Sequence, residues 1–132
     1  MKSLLRFAGA ACLLAALPAS AETAAVLQGL DKTTARVSKF DAPVDQTVRF
    51  GTLRITVKAC VKRPPEEPPE TAAFLMIDEA RPGAAAPQAV FSGWMFASSP
   101  AISALEDPIY DINVLDCRSD TTAAPSSGST GK

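Results

Sequence analysis

The side chains that suggest chemistry in this 132-residue sequence are two cysteines, several adjacent carboxylates and one aromatic run. Cys60 and Cys117 each stand at the end of a strand-like stretch, far apart in sequence. Oxidised to each other they would close a long loop, which in the chain-entropy account stabilises a fold by about 4 kcal/mol. Their rivals are a redox-active pair and a thiolate metal site. A redox pair usually has the close C-x-x-C spacing. Two thiolates without histidine fall short of the four ligands of a zinc site, and Cu(I) bound with Met76 or Met95 has no spacing pattern behind it. A Cys60–Cys117 disulfide is therefore the expectation.

The sequence contains no histidine. That removes Ser-His-Asp and Cys-His catalysis and the usual histidine metal centres. No P-loop, G-x-G-x-x-G or D-x-D-x-D-G run occurs, so neither a nucleotide nor calcium has a recognisable cradle. Asp78-Glu79, Glu106-Asp107 and Asp111 with Asp116 are the acid pairs a carboxylate-dependent hydrolase would draw on. Strict alternation puts Asp111 and Asp116 on opposite strand faces, and the other two pairs sit at element ends, where acids are well solvated. Ser98 and Ser99 have no base nearby and suit a helix cap. The expectation is a protein without enzymatic activity, cofactor or metal.

Two stretches suit binding better than catalysis. "RPPEEPPE" holds four prolines between residues 64 and 69. Proline donates no backbone hydrogen bond and pushes its predecessor out of the helical region, so a sheet stops here and an exposed, stiff, acidic loop begins. Pro65, Glu66, Glu67 and Pro68 form its tip. Either the loop is a rigid connection or it is a recognition ridge, since stiff segments bind with little entropy loss. "FSGWMFASSP" then places Trp94 and Phe96 on one face of an extended segment and Phe91 and Met95 on the other. Trp94 is the candidate for a partner contact, because tryptophan is enriched in binding hot spots.

The elements that would position these residues read as short strands. "TTARVSKF" (33–40) is β-branched, "DAPVDQT" (41–47) is turn chemistry, and Val48–Phe50 resumes an extended pattern before Gly51. Residues 53–62 alternate with period two, Leu53, Ile55, Val57, Ala59 and Val61 against Arg54, Thr56, Lys58, Cys60 and Lys62. Cys60 thus falls on the polar face unless a bulge turns it inward. "TAAFLMID" (71–78) reads as a buried strand, with helix the alternative. Residues 90–96 form another strand, with Gly93 a bulge or close approach. Pro100 after two serines predicts a short helix over 99–106, and 109–117 is the last strand. Short strands, Pro/Gly turns and one short helix predict a mostly β domain, a small single-domain barrel or sandwich.

The chain ends bear on location. Lys2 and Arg6, an apolar run over 7–17 and Ala19-Ser20-Ala21 make the three-part pattern of a secretory signal peptide, with cleavage after Ala21. The competing reading is a buried N-terminal helix. A lipoprotein site at Cys12 is disfavoured by Gly9, where leucine is wanted. No later run approaches the roughly twenty apolar residues of a membrane span. Residues 22–30 read as a flexible leader, 31–117 as the domain, and the small polar 118–132 as a disordered tail. Without Lys2 and Arg6 the 13 basic residues fall to 11 against 14 acidic ones, a net charge of −3 with both signs spread along the chain. No basic face for nucleic acid is visible.

"VRFGTLRITVKAC", "KRPPEEPPETAAFLMID", "VFSGWMFASSPAISALEDPIYD" and "VLDC" together resemble an alphaproteobacterial exported family, domain of unknown function 2155, over about residues 30–117. The Cys-x-x-x-Pro-Pro-Glu, Gly-Trp-Met-Phe and Leu-Asp-Cys runs occur in its order. The resemblance implies a periplasmic location and an association with respiratory complex I, and it supplies no catalytic residue. The functional expectation is a periplasmic, non-enzymatic protein-binding or structural module of the cell envelope, with an envelope protein as partner. The alternatives are a carrier of a glycan or lipid fragment in a β-fold cavity, and a carboxylate hydrolase.

Overall fold

A computed structural model describes residues 23–119. The expected signal peptide with its cleavage point, and the expected tail beyond Ser119, lie outside the described residues. Seven strands form two antiparallel sheets: β1 (Ala24–Asp31), β2 (Arg36–Pro43), β3 (Thr47–Phe50), β4 (Leu53–Lys62), β5 (Thr71–Glu79), β6 (Gln88–Phe96) and β7 (Tyr110–Arg118). One sheet has the order β2-β1-β7, the other β3-β4-β5-β6. Their inner faces share one core, with Leu27, Ala42, Ile112 and Val114 from the first meeting Leu53, Ile55, Val57, Leu75, Ile77 and Met95 from the second. Of the two architectures open from the sequence, this is the sandwich.

From residue 24 onward the expected leader 22–30 belongs instead to β1, the central strand of the three-stranded sheet. Ala24 to Leu27 are all buried, and the segment pairs with β2 on one side and β7 on the other. Burial on both faces removes the alternation that identifies a strand. Gly29 marks a close approach. A Cβ there would lie 2.6 Å from the Phe50 ring of the opposite sheet. Phe50 stacks on Phe40 and meets Tyr110 edge-on, both at 5.6 Å between centroids, so three aromatics close that end of the sandwich. At the other boundary, Arg118 belongs to β7 and bridges Asp41 at 3.1 Å.

Other boundaries move for local reasons. The Asp31 carboxylate accepts bonds from the Thr33 hydroxyl (2.6 Å) and the Thr33 and Thr34 amides. That makes 33–35 a turn and delays β2 to Arg36, so the strand runs through the expected turn residues 41–43. The helix expected over 99–106 is a single 3-10 turn, Pro100–Ile102. Ser99 makes no side-chain cap bond, and the Ser98 hydroxyl donates to Glu70 instead. Leu105 drops into the core, and Asp107 accepts from the Ile109 and Tyr110 amides at 2.8 Å each. Gly93 is in register opposite Leu75; the irregularity in the β5–β6 ladder comes earlier, where Ile77 faces Phe91 and Asp78 faces Ala89.

Two bulges overturn simple alternation. In β4 the register shifts between Val57 and Ala59, leaving Lys58 unpaired. Beyond it Cys60 turns inward and Val61 outward. In β7 Leu115 is the extra residue opposite the Val26–Leu27 step. Ile112, Val114 and Cys117 therefore all face the core, and Asp111 and Asp116 share the outer face rather than lying on opposite ones. The two bulges bring Cys60 and Cys117 to disulfide-bonding distance, with Cα atoms 5.8 Å apart. The pair joins the two sheets at one corner.

Candidate functional site

The residues singled out as partner-binding candidates lie along the outer face of the four-stranded sheet and the loop at its end. β4 and β5 form a hairpin whose connection is the proline segment. Lys62 pairs with Thr71 as the last rung, and the Arg63 amide donates to the Glu70 carbonyl at 3.0 Å to close the loop. Within it the Glu67 amide donates to the Pro64 carbonyl (3.1 Å), making a turn whose tip, Pro65 to Pro68, is exposed. Arg63 and Glu67 approach at 3.9 Å.

Glu70 ties the loop to the rest of the domain. Its carboxylate accepts from the Thr71 amide at 3.0 Å, the Ser98 amide at 3.4 Å and the Ser98 hydroxyl. The Ser98 hydroxyl above all, with these amides and nearby Arg63, holds the Glu70 carboxyl below the usual carboxylate range. On the opposite flank Asp116 bridges Lys62 at 2.8 Å. That hydrogen bond from Lys62 is the main reason the Asp116 carboxyl is also lowered. Glu70 was not among the residues picked out from sequence. Its place at the end of a proline run hides that it reaches 28 residues ahead.

The outer face of this sheet is a graded surface. Registers across β4, β5 and β6 line up Val61, Ala72 and Phe96, then Ala59, Phe74 and Trp94, then Thr56, Met76 and Ser92. Val61, Met76 and Trp94 are 51%, 47% and 40% exposed. Trp94 packs edge-on against Phe74, with centroids 5.6 Å apart. A cleft of about 380 Å³ lies where this face meets the proline loop, floored by Val61, Ala72 and Phe96 and walled by Arg63, Pro64 and Glu70. Phe96, two residues from Trp94 on the same face, thus joins the tryptophan to the loop. Beyond Met76 the face becomes cationic, with Arg49 and Arg54 opposite each other and Asp78 beside Arg54.

The carboxylate pairs are placed differently. Glu79 is buried and bridges Arg81 at 2.7 Å, whereas Asp78 points to the outer face. Asp107 is occupied by two backbone amides, and Glu106 is exposed. Among the described residues no three His, Cys, Asp or Glu side chains come together to hold a metal ion. Nor is any described helix long and apolar enough to cross a membrane.

Comparison with known proteins places the chain. A family model described as "Uncharacterized protein conserved in bacteria (DUF2155)" matches residues 25–117. "Uncharacterized protein RP359" of Rickettsia prowazekii (strain Madrid E) is 30% identical over 88 residues, covering 67% of this chain. Those residues make up 56% of the relative, so the chain spans little more than half its length. No solved structure matches.

Proposed function

The chain belongs to the DUF2155 family, and from that premise and its own surface we propose that it is an exported, non-enzymatic protein-binding module of the bacterial cell envelope. The single observation that carries this reading is the outer sheet face, where Val61, Met76 and Trp94 stand exposed beside Phe74 and Phe96 and run into the cleft under the proline loop. Contiguous exposed apolar surface rimmed by polar groups is characteristic of interaction sites. The aromatic pair offers a rigid anchor of the kind that dominates binding energy, and the loop is already closed by its own hydrogen bonds, so little order is lost on contact.

Export to the periplasm is supported by the charged start, apolar run and Ala19-Ser20-Ala21. The Cys60–Cys117 pair fits an oxidising compartment. The filled interior argues for a binding face over a ligand-carrying cavity, because Leu27, Leu53, Ile55, Leu75 and Ile77 occupy the space between the sheets.

The test is crosslinking in intact cells of the tagged full chain, followed by mass spectrometry. One dominant crosslinked protein is expected. It should be lost with Trp94→Ala, and weakened when residues 64–69 are replaced by glycine and serine at equal length. Crosslinks that survive both changes would sink the reading.

A further inference from the structure

Resting on that reading of the outer face, we propose that its partner is a second copy of this chain, seated face to face about a two-fold axis. The surface is complementary to itself. One end of β4 leads into the acidic loop, where Glu66, Glu67 and Glu70 stand against Arg63. The other end carries Arg49 and Arg54 against Asp78. Neither arginine has an ion-pair partner among the described residues, and Glu66 has none either. Between the two ends lies the apolar stretch of Val61, Phe96, Phe74, Trp94 and Met76.

A two-fold operation exchanges the ends of such a gradient. The midpoint of β4 falls between Val57 and Lys58, next to Ala59, which is opposite Phe74 and through it Trp94. An axis there stacks the aromatic centre on its own copy and lays each acidic loop over the other copy's Arg49 and Arg54. In such an isologous interface each residue pair occurs twice. Lys58 does not oppose the arrangement, because Asp45 already neutralises it at 2.7 Å. β4, β5 and β6, each ~30 Å long, and the four-residue β3, ~13 Å long, spaced ~4.8 Å apart, present about 500 Å² of face. With the loop added, this approaches the roughly 800 Å² per partner of a specific interface.

The experiment is sedimentation velocity on protein purified from the periplasm, over a wide concentration range, with circular dichroism to check that each variant is folded. The native chain should sediment as a dimer, and Trp94→Ala as a monomer. Glu66→Lys with Glu67→Lys should raise the dimer dissociation constant by about tenfold or more, since like charges then face each other. Arg49→Glu with Arg54→Glu should do the same. Mixing the two charge-reversed proteins should restore a dimer, because both contacts become opposite-charge pairs again.

A native chain that is monomeric at every concentration overturns the second-copy inference. If its cellular crosslinks to a different protein still depend on Trp94, the binding-module reading stands. Should the charge-reversed proteins dimerise as well as the native chain, the dimer uses another surface and this inference is also overturned. Crosslinks and sedimentation both indifferent to Trp94→Ala would bring down both.

Discussion

The two sheets each turn one face to the shared core, and their outer faces differ in how the exposed groups are used. On the three-stranded sheet, Gln28 lies beside Lys39 and Asn113, Arg118 bridges Asp41, and Asp116 bridges Lys62 at the corner. Val37 is its prominent exposed apolar side chain. On the four-stranded sheet the outer registers carry Phe74, Met76, Trp94 and Phe96, and beyond them Arg49 and Arg54, which have no ion-pair partner among the described residues. A sandwich needs apolar residues only on its inner faces. The polar outer face shows what this fold needs to stay folded, and the apolar one shows a surface the fold itself does not require.

The largest expected effect comes from cutting the tie between the two regions. Cys60→Ser with Cys117→Ser removes a link spanning 57 residues and should lower stability by about 4 kcal/mol in the chain-entropy account. Urea unfolding of native and variant protein measures it. A loss well under 1 kcal/mol would mean that the corner contributes little and that the core alone joins the sheets.

Next in size is the contact at the far end. Gly29→Ala drives a methyl group into the Phe50 ring, and overpacking of this kind costs about 1–3 kcal/mol. Phe50→Leu in the same chain should return part of that loss, which a double-mutant cycle would show as coupling. Additive effects would disprove the tight approach of β1 to β3.

A smaller effect separates the outer faces directly. Trp94→Ala removes an aromatic pair worth about 0.5–1.5 kcal/mol, so the fold should persist while partner binding is lost. Val37→Ser on the other sheet should leave both nearly unchanged, as surface substitutions usually fall within about ±0.5 kcal/mol. If Val37→Ser impaired binding as much as Trp94→Ala, the contrast between the faces would collapse.

Much of this was legible in the sequence, for physical reasons. β4 and β5 sit where expected because alternation and the proline break bound them sharply. The proline loop was readable because proline's constraints are local. What escaped notice depended on distant partners. β1 looked like a leader because "AAVLQG" is small and unpatterned, and it becomes a strand by lying between β2 and β7. The inward turn of Cys60 is the bulge alternative the sequence left open, and what decides it is one residue without a ladder partner, Lys58, whose place period-two counting does not locate. Ser98 looked like a helix cap because its true acceptor, Glu70, is remote in sequence. The graded outer face needed the register across three strands before Val61, Phe74 and Trp94 could be seen as neighbours.

The smallest effect is a pH dependence, and its sign follows from the two lowered carboxyls that anchor the loop. Asp116, held down chiefly by Lys62, lies below its ordinary value of 3.8, and Glu70, held down chiefly by Ser98, lies below 4.5. A folded-state pKa below the unfolded one means that the unfolded chain binds protons more readily. The stabilisation is therefore complete above the ordinary carboxylate range and disappears as pH falls through the lower folded values. Unfolding midpoints should stay level from neutral pH to about pH 5 and drop below about pH 4. Glu70→Gln keeps part of the hydrogen bonding but not the charge, so it should flatten that drop and loosen the loop, read as faster amide exchange at Arg63 and Glu67. A variant with the native acid profile and native exchange would show that the proline loop is held by its backbone alone. Its orientation over the apolar face would then owe nothing to Ser98.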